Sequence, residues 1–190
     1  DRAANSAVNL LRNGSFEDEP KHSTIPIEWI DRGFEGESAP DIHPTGTWNV
    51  TKEAHHGDTY LGMVVRNNNT WERIAQQLTR PLKEGRKYIL TGYVARSEIH
   101  RSTSRLTDTI TNYNTPAIMR IAGNQGEFRE LAQPLGQTPP VQNTDWQYFE
   151  ITLEPNSDFI FLVLEAYYDE TIKDAYNGNI LLDGLELVEL

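Results

Sequence analysis

Along most of the chain, apolar residues either alternate with polar ones or run on in short unbroken stretches. No segment of ~12 residues keeps the three-and-four spacing of an amphipathic helix without a Gly, Pro or β-branched interruption. The pattern instead predicts strands at residues 48–52, 59–65, 73–78, 87–97, 117–122, 127–132, 146–153, 159–167 and 179–190. The clearest, 87–97, puts Tyr88, Leu90, Gly92 and Val94 on one face and Ile89, Thr91, Tyr93 and Ala95 on the other. Both faces carry large side chains, so neither is simply solvated.

Turn-forming residues separate these runs at Lys83-Glu84-Gly85, Gly123-Asn124-Gln125-Gly126, Pro155-Asn156-Ser157-Asp158 and Asn177-Gly178-Asn179. About ten strands punctuated this way predict an all-β fold, an antiparallel β-sandwich or jelly roll spanning residues 1–190 as one domain. Two segments break the rhythm. Residues 18–46 hold four Pro and three Gly around Trp29 and Phe34, and residues 98–116 are polar and rich in Ser, Thr and Arg. Loops of this length at the rim of a sandwich are where binding sites are commonly built.

Composition narrows the chemistry. The 190 residues carry 17 Lys and Arg against 28 Asp and Glu, a formal charge of −11, which repels nucleic acid and anionic lipid. No apolar run approaches the ~20 residues of a membrane-spanning helix; the longest, 159–166, is interrupted by Glu165. The absence of cysteine excludes disulfides, thiolate nucleophiles and thiolate metal sites. No H-E-x-x-H, P-loop, G-x-G-x-x-G or G-x-S-x-G phrase is present. The adjacent His55 and His56 would point to opposite faces of a strand, a poor joint metal site. Paired carboxylates of the glycosidase kind carry no weight among 28 acids. The expectation is a protein without catalysis of its own.

Four phrases then occur in order along the chain. Asn9-Leu10-Leu11-Arg12-Asn13-Gly14-Ser15-Phe16-Glu17 resembles the opening strand of jelly-roll carbohydrate-binding modules, in the wider galactose-binding-like group. His56-Gly57-Asp58-Thr59-Tyr60-Leu61-Gly62 is similar to that group's s-G-x-x-Y phrase, and Leu82-Lys83-Glu84-Gly85-Arg86-Lys87-Tyr88-Ile89-Leu90 to its L-x-x-G-x-x-Y-x-L turn and strand. Leu181-Leu182-Asp183-Gly184-Leu185-Glu186-Leu187 resembles its closing strand, with Gly184 where the group often has a second Asp. Trp71-Glu72 before the Gln76-Gln77 strand, and Glu165-Ala166-Tyr167-Tyr168 near the end, look similar to modules in large surface proteins of Bacteroidetes-type bacteria.

The resemblance implies a non-catalytic, lectin-like module of a secreted or cell-surface protein, with a glycan or polysaccharide as partner and neighbouring domains in a larger chain. It also implies a structural calcium that braces the first strand against the last. The matching positions are Glu17 and Asp183 by side chain, with Gly57 and Asp58 nearby. Calcium takes about six to eight hard oxygens, so carboxylates and backbone carbonyls would share the work.

Sugar recognition needs aromatic faces for the C–H face of a pyranose and planar polar groups for its hydroxyls. In jelly-roll modules both come from the concave sheet or the rim loops. Tyr93 is expected on the concave sheet, with Arg73 and Gln77 from a neighbouring strand and Arg120 from Met119-Arg120-Ile121. Trp71, Asn112 and Tyr113 are the rim candidates, Tyr113 as an exposed ring between two Asn residues. Trp48 and Trp146 begin strands and read as core; Trp29 reads as a pin for its loop. Tyr167 and Tyr168 point to opposite faces, so at most one is free, and Arg73, Arg96 and Arg120 could equally pair with the excess carboxylates. The competing expectation is a protein-interaction or spacer module, with Pro139-Pro140 and the long loops against a neighbour and an exposed apolar patch in place of a polar-lined groove.

Overall fold

The computed structural model describes residues 8–126 and 133–190. Twelve strands are present among them: β1 (Ile30–Asp31), β2 (Asp41–His43), β3 (Tyr60–Val65), β4 (Arg73–Leu82), β5 (Tyr88–Ala95), β6 (Arg101–Thr103), β7 (Ile110–Asn112), β8 (Thr115–Asn124), β9 (Gln133–Gln137), β10 (Gln147–Leu153), β11 (Phe159–Tyr168) and β12 (Gly178–Glu189). Ten of them form two antiparallel five-stranded layers, in the order β2-β3-β12-β5-β10 and β1-β4-β11-β8-β9. A short parallel pairing, Gly178 with Thr115 and Asn179 with Pro116, joins the layers where β12 and β8 begin. The strands β6 and β7 make a separate hairpin.

The inward faces follow from the alternation in the sequence. Leu61, Met63, Tyr88, Leu90, Ile180 and Leu182 from one layer meet Ile74, Leu78, Met119, Ile121, Leu162 and Leu164 from the other in one continuous buried core. Burial at ~25 cal/mol per Å² of apolar surface makes this core the main stabilising term. The nine-residue opening phrase is an irregular segment and not a strand. Leu10 bridges the layers, its N–H donating to Leu187 O at 2.8 Å and its C=O accepting from Thr79 N–H at 3.3 Å, while Leu10, Leu11 and Phe16 enter the core.

Several expected elements differ. Residues 48–52 are not a strand: Thr47–Asn49 is a 3₁₀ turn, and Trp48 and Asn49 take left-handed φ values of 60° and 61° that an extended chain cannot accommodate. The predicted loops contain strands, β1 and β2 in the first and the β6–β7 hairpin in the second. The predicted strand at 127–132 lies outside the described residues. Trp48 and Trp146 are half-buried at the margin of a small second cluster around Tyr60 and Leu181, and Trp146 Nε1–H donates to Glu53 O at 2.9 Å. Trp29 does pin its loop: it is buried against Phe16, and its Nε1–H donates to Asn13 O at 2.9 Å.

Candidate functional site

Register across the second layer places side chains in rows. Glu165 of β11 lies opposite Arg73 of β4 on one side and Arg120 of β8 on the other. Arg120 in turn faces Gln137 of β9, and Arg32, one residue beyond β1, exchanges backbone and side-chain bonds with Arg73. Arg73, Glu165 and Arg120 point away from the core, because their neighbours Ile74, Leu164 and Ile121 point into it, and Gln137 follows Arg120 across the pair. The next row along the strands is small and apolar, with Ala75, Val163 and Ala122 in mutual contact. Beyond it lie Gln77 and Phe161, paired in register. In the opposite direction stand the rings of Trp71 and Tyr167.

These rings and charges form one cluster. Glu165 is only 1% exposed. Its Oε1 accepts from Arg120 Nε–H at 2.6 Å, and its Oε2 from Trp71 Nε1–H at 2.7 Å. The Arg73 guanidinium stands 4.0 Å from the same carboxylate. Arg120 lies over the Tyr167 ring at 3.3 Å from its centroid, Trp71 meets Tyr167 edge-on at 5.0 Å, and Phe34 meets Trp71 at 4.7 Å. Beside the cluster, a groove of about 520 Å³ is lined by Arg120, Ala122, Leu135, Gln137, Glu165 and Glu170, among others. It offers planar donors and acceptors and a floor that includes Ala122 and Gly136, and has room for a sugar-sized ring; the rings of Trp71 and Tyr167 stand beside it and not in its lining.

Local folding explains why Trp71 is held there. The residue after it, Glu72, donates its N–H to Val64 O and accepts from Ala166 N–H, fixing the backbone between β3 and β11. The buried Glu72 carboxylate accepts from Val64 N–H at 2.9 Å and pairs with the fully buried Arg66 at 2.9 Å. Burial pushes the Glu72 carboxyl well up, against the attraction of Arg66. Arg66 also donates to Ser38 O at 3.1 Å, and Glu37 pairs with Arg105 at 2.8 Å, so the same buried pair tethers the loop that sets Phe34 against Trp71. The small cavity beside this pair, about 20 Å³, is too tight for a sugar ring. Nearby, burial pushes Asp41 up to about 6 and holds His43 down to about 3 and His100 down to about 4.

Of the sequence candidates, Trp71, Arg73 and Arg120 come together, and Gln77 shares their face two rows away. Tyr93 does not. Its strand β5 belongs to the other layer, where Tyr93 lies opposite Tyr148 and stacks on His55 at 3.6 Å. The expectation that β4 and β5 are sheet neighbours fails because the chain crosses from one layer to the other at Lys83-Glu84-Gly85-Arg86. Tyr113 is not an exposed ring: it is 2% exposed, and its hydroxyl donates to Thr103 O at 2.5 Å. Asn112 closes the same hairpin, accepting from His100 N–H at 2.7 Å and donating to Glu98 O at 3.1 Å. Arg96 donates to backbone oxygens of Asn114 and Gln142.

Sequence reasoning left Glu165, Tyr167, Phe34 and Arg32 out of the site. For Glu165 a signal existed. It interrupts the most apolar run of the chain, and the Val163-Glu165-Tyr167 alternation puts it on the outer face beside an aromatic. Nothing local marks Phe34 or Arg32, which a long loop delivers.

The metal candidates gather at a different place, the seam between the opening segment and β12. Glu17 Oε2 accepts from the N–H groups of Asp58 at 3.0 Å and Thr59 at 3.2 Å. Asp183 Oδ2 accepts from His55 and His56 N–H at 2.8 Å, and Oδ1 from Gly184 N–H at 2.8 Å. Ser15 Oγ lies 2.8 Å from Glu17 Oε1 and 3.4 Å from Asp183 Oδ1. Gly57, at φ 64°, is required here: a Cβ would fall 2.0 Å from Glu17 Oε1. Burial, with the Glu17 charge adding to it, raises the Asp183 carboxyl. No group of three or more His, Asp or Glu side chains gathers among the described residues.

No family model matches the sequence, and no curated protein does. Solved structures do match in fold. The CBM22-1 xylan-binding domain of Xyn10C from Paenibacillus barcinonensis aligns with a TM-score of 0.56 at 14% identity, over 98% of this chain and 97% of that one. A cyclase from Fischerella sp. TAU aligns at 0.58 and 13% identity, over 97% and 98%. The arabinose-bound MgGH51 α-L-arabinofuranosidase aligns at 0.57 and 10% identity over 95% of this chain, which spans only 26% of that enzyme. The fold is therefore the jelly-roll β-sandwich that these structures share. It serves a binding domain, a whole enzyme and a piece of an enzyme, so function rests on the residues of the site.

Proposed function

We propose that the protein is a non-catalytic glycan-binding module of a secreted or cell-surface protein, and that it binds through the outer face of β4, β11 and β8. The observation that carries this reading is the cluster of Trp71, Tyr167, Arg120 and Arg73 around the buried Glu165. A carboxylate fully occupied by Trp71 and Arg120 is a poor general acid or base but a good template. It fixes the indole and a guanidinium in one geometry before ligand arrives, which lowers the ordering cost of binding. Sugar rings would lie against Trp71, with Arg73, Gln77 and Gln137 meeting hydroxyls. Net gain per hydroxyl is small because water is exchanged for protein partners, so avidity in a larger assembly would supply strength. The xylan-binding neighbour supports this reading through its fold.

A glycan-array screen tests it. Saturable binding to a glycan, lost in Trp71→Ala with the melting curve intact, is the expected outcome. Absence of binding to every glycan would overturn it. The second reading is a protein-interaction module, favoured by Ile99, Leu106 and Ile110, which leave an exposed apolar patch around the β6–β7 hairpin.

The proposal includes a calcium brace at the seam. What supports it is charge. Glu17 and Asp183 approach through Ser15, and among the described residues no Lys or Arg pairs with either. A bound cation would relieve that repulsion, with Glu17 and Asp183 as side-chain ligands and Gly57 and Asp58 holding the loop in place. The expected result is a melting temperature that rises with added calcium and falls back in chelator, with the rise absent in Asp183→Asn. An unchanged melting temperature would exclude the ion.

A further inference from the structure

We infer that the ligand of this face is an acidic glycan, a chain bearing uronate carboxylates, recognised by Arg73 and Arg120. The inference rests on the glycan-binding reading and specifies its substrate class.

Guanidinium donors outnumber their acceptors on this face. Three guanidiniums, of Arg32, Arg73 and Arg120, stand in one cross-strand row with a single carboxylate, Glu165, between them. Glu165 is already taken by Arg120 and Trp71. Arg73, at 4.0 Å, is beyond hydrogen-bond reach of it; among the described residues its side chain donates through Nε–H alone, to Arg32 O at 3.0 Å, with its guanidinium 5.4 Å from the Phe34 ring centroid. Arg32 has a buried terminal nitrogen with no partner among the described residues. A buried guanidinium donor without an acceptor is costly, and two neighbouring cations raise that cost. The chain carries 28 acids and an overall charge of −11, yet the row itself sets three guanidiniums against one carboxylate; among the described residues the groove beside it is lined by Arg120, Glu165 and Glu170 as its charged groups. The row is a local positive spot on an acidic protein.

A carboxylate matches it chemically. The side chains of Arg73 and Arg120 keep 15% and 26% exposure; Arg73 has its terminal nitrogens uncommitted to hydrogen bonds among the described residues, while Arg120 turns its Nε and Nη2 edge to Glu165 and offers its remaining edge. A planar guanidinium fork binds a carboxylate through two parallel N–H bonds, whereas a sugar hydroxyl uses one. The apolar floor of Ala75, Val163 and Ala122 beside the row would take the C–H face of the ring, holding the ring's carboxylate toward the arginines. The overall −11 charge repels a dense polyanion, so scattered uronates on an otherwise neutral chain fit better than a continuous one.

The test is calorimetric titration of the whole protein with matched pairs: oligogalacturonate against its methyl ester, and glucuronoxylan oligosaccharides against unbranched xylo-oligosaccharides, with sulfated oligosaccharides as a third arm. The inference expects at least one acid form to bind about tenfold or more tightly than its neutral counterpart, and Arg73→Gln to erase that preference while weaker neutral binding survives. Equal or better binding of the neutral members would overturn the acidic class and leave the glycan reading standing. Preference for sulfated sugars alone would overturn the carboxylate. No binding in any arm, together with an empty array, would overturn both.

Discussion

The outer faces of the two layers carry similar ingredients and differ in how these are wired. On the β5 and β10 side, Tyr93, Tyr148 and His55 make an aromatic strip, with Tyr148 half exposed. Its charged neighbours are acids: Glu150, which accepts from the Tyr148 hydroxyl at 2.7 Å, and Glu186 near the 370 Å³ groove beside Tyr93. On the β4, β11 and β8 side, the aromatics are locked by a buried carboxylate and two arginines. Aromatic count does not separate these faces. What separates them is the buried Glu165 carboxylate, which holds the Trp71 indole and Arg120 on the β4, β11 and β8 side, whereas the carboxylate that meets a ring on the β5 and β10 side, Glu150, is exposed. A preorganised cluster is the better candidate, because less side-chain freedom is lost when a ligand arrives.

The largest effect that would break this comparison comes from Glu165→Ala. It strands Arg120 and the Trp71 indole N–H beside Arg73, and removing one partner of a buried pair costs about 3–5 kcal/mol. Chemical denaturation should show a loss on that scale, with glycan binding abolished, while Glu150→Ala on the opposite face should stay within about 0.5 kcal/mol of the parent. A Glu165→Ala protein as stable as the parent would remove the cluster's organising role.

Acid should act next. His43 and His100 are held well below their ordinary value by burial, so the unfolded chain binds more protons between about 6.5 and their folded values of about 3 and about 4. Their contribution is intact above pH ~6.5 and is lost as pH falls. The raised carboxyls of Asp41, Glu72 and Asp183 work in the opposite sense, their penalty easing as pH falls, so each histidine adds a slope of up to about 1.4 kcal/mol per pH unit against that background between pH 6 and its folded value. His100→Gln should flatten that slope in a pH series of denaturation curves; an unchanged slope would contradict it. The smallest effect is Tyr113→Phe. It deletes one hydroxyl bond to Thr103, should cost about 1 kcal/mol, and should leave glycan binding untouched.

The fold was legible because its cause is local. Alternation in β3, β5, β8, β11 and β12 records which residues face the core, and the turns between them are marked by Gly, Asn and Pro. The candidate site was legible only where it shares that alternation. Arg73 and Arg120 could be placed on the sheet face of their strands, and Trp71 at the rim just before β4. Tyr93 obeys the same rule and still lands elsewhere, because alternation fixes the face of a strand and not the layer it joins. Tyr113 and Asn112 looked free in a polar segment, yet that segment folds into a hairpin that consumes their polar atoms. Arg32 and Phe34 reach the cluster through a long loop whose path depends on the distant Arg66–Glu72 pair.

The most direct test of the central claim is a paired titration with the glycan selected by the array, Trp71→Ala against Tyr93→Ala, each checked for an unchanged fold. The account predicts that Trp71→Ala loses about tenfold or more in affinity, as expected for an aromatic anchor worth above 1 kcal/mol, while Tyr93→Ala binds as the parent does. Loss in Tyr93→Ala with Trp71→Ala unaffected would move the site to the opposite layer and contradict the account.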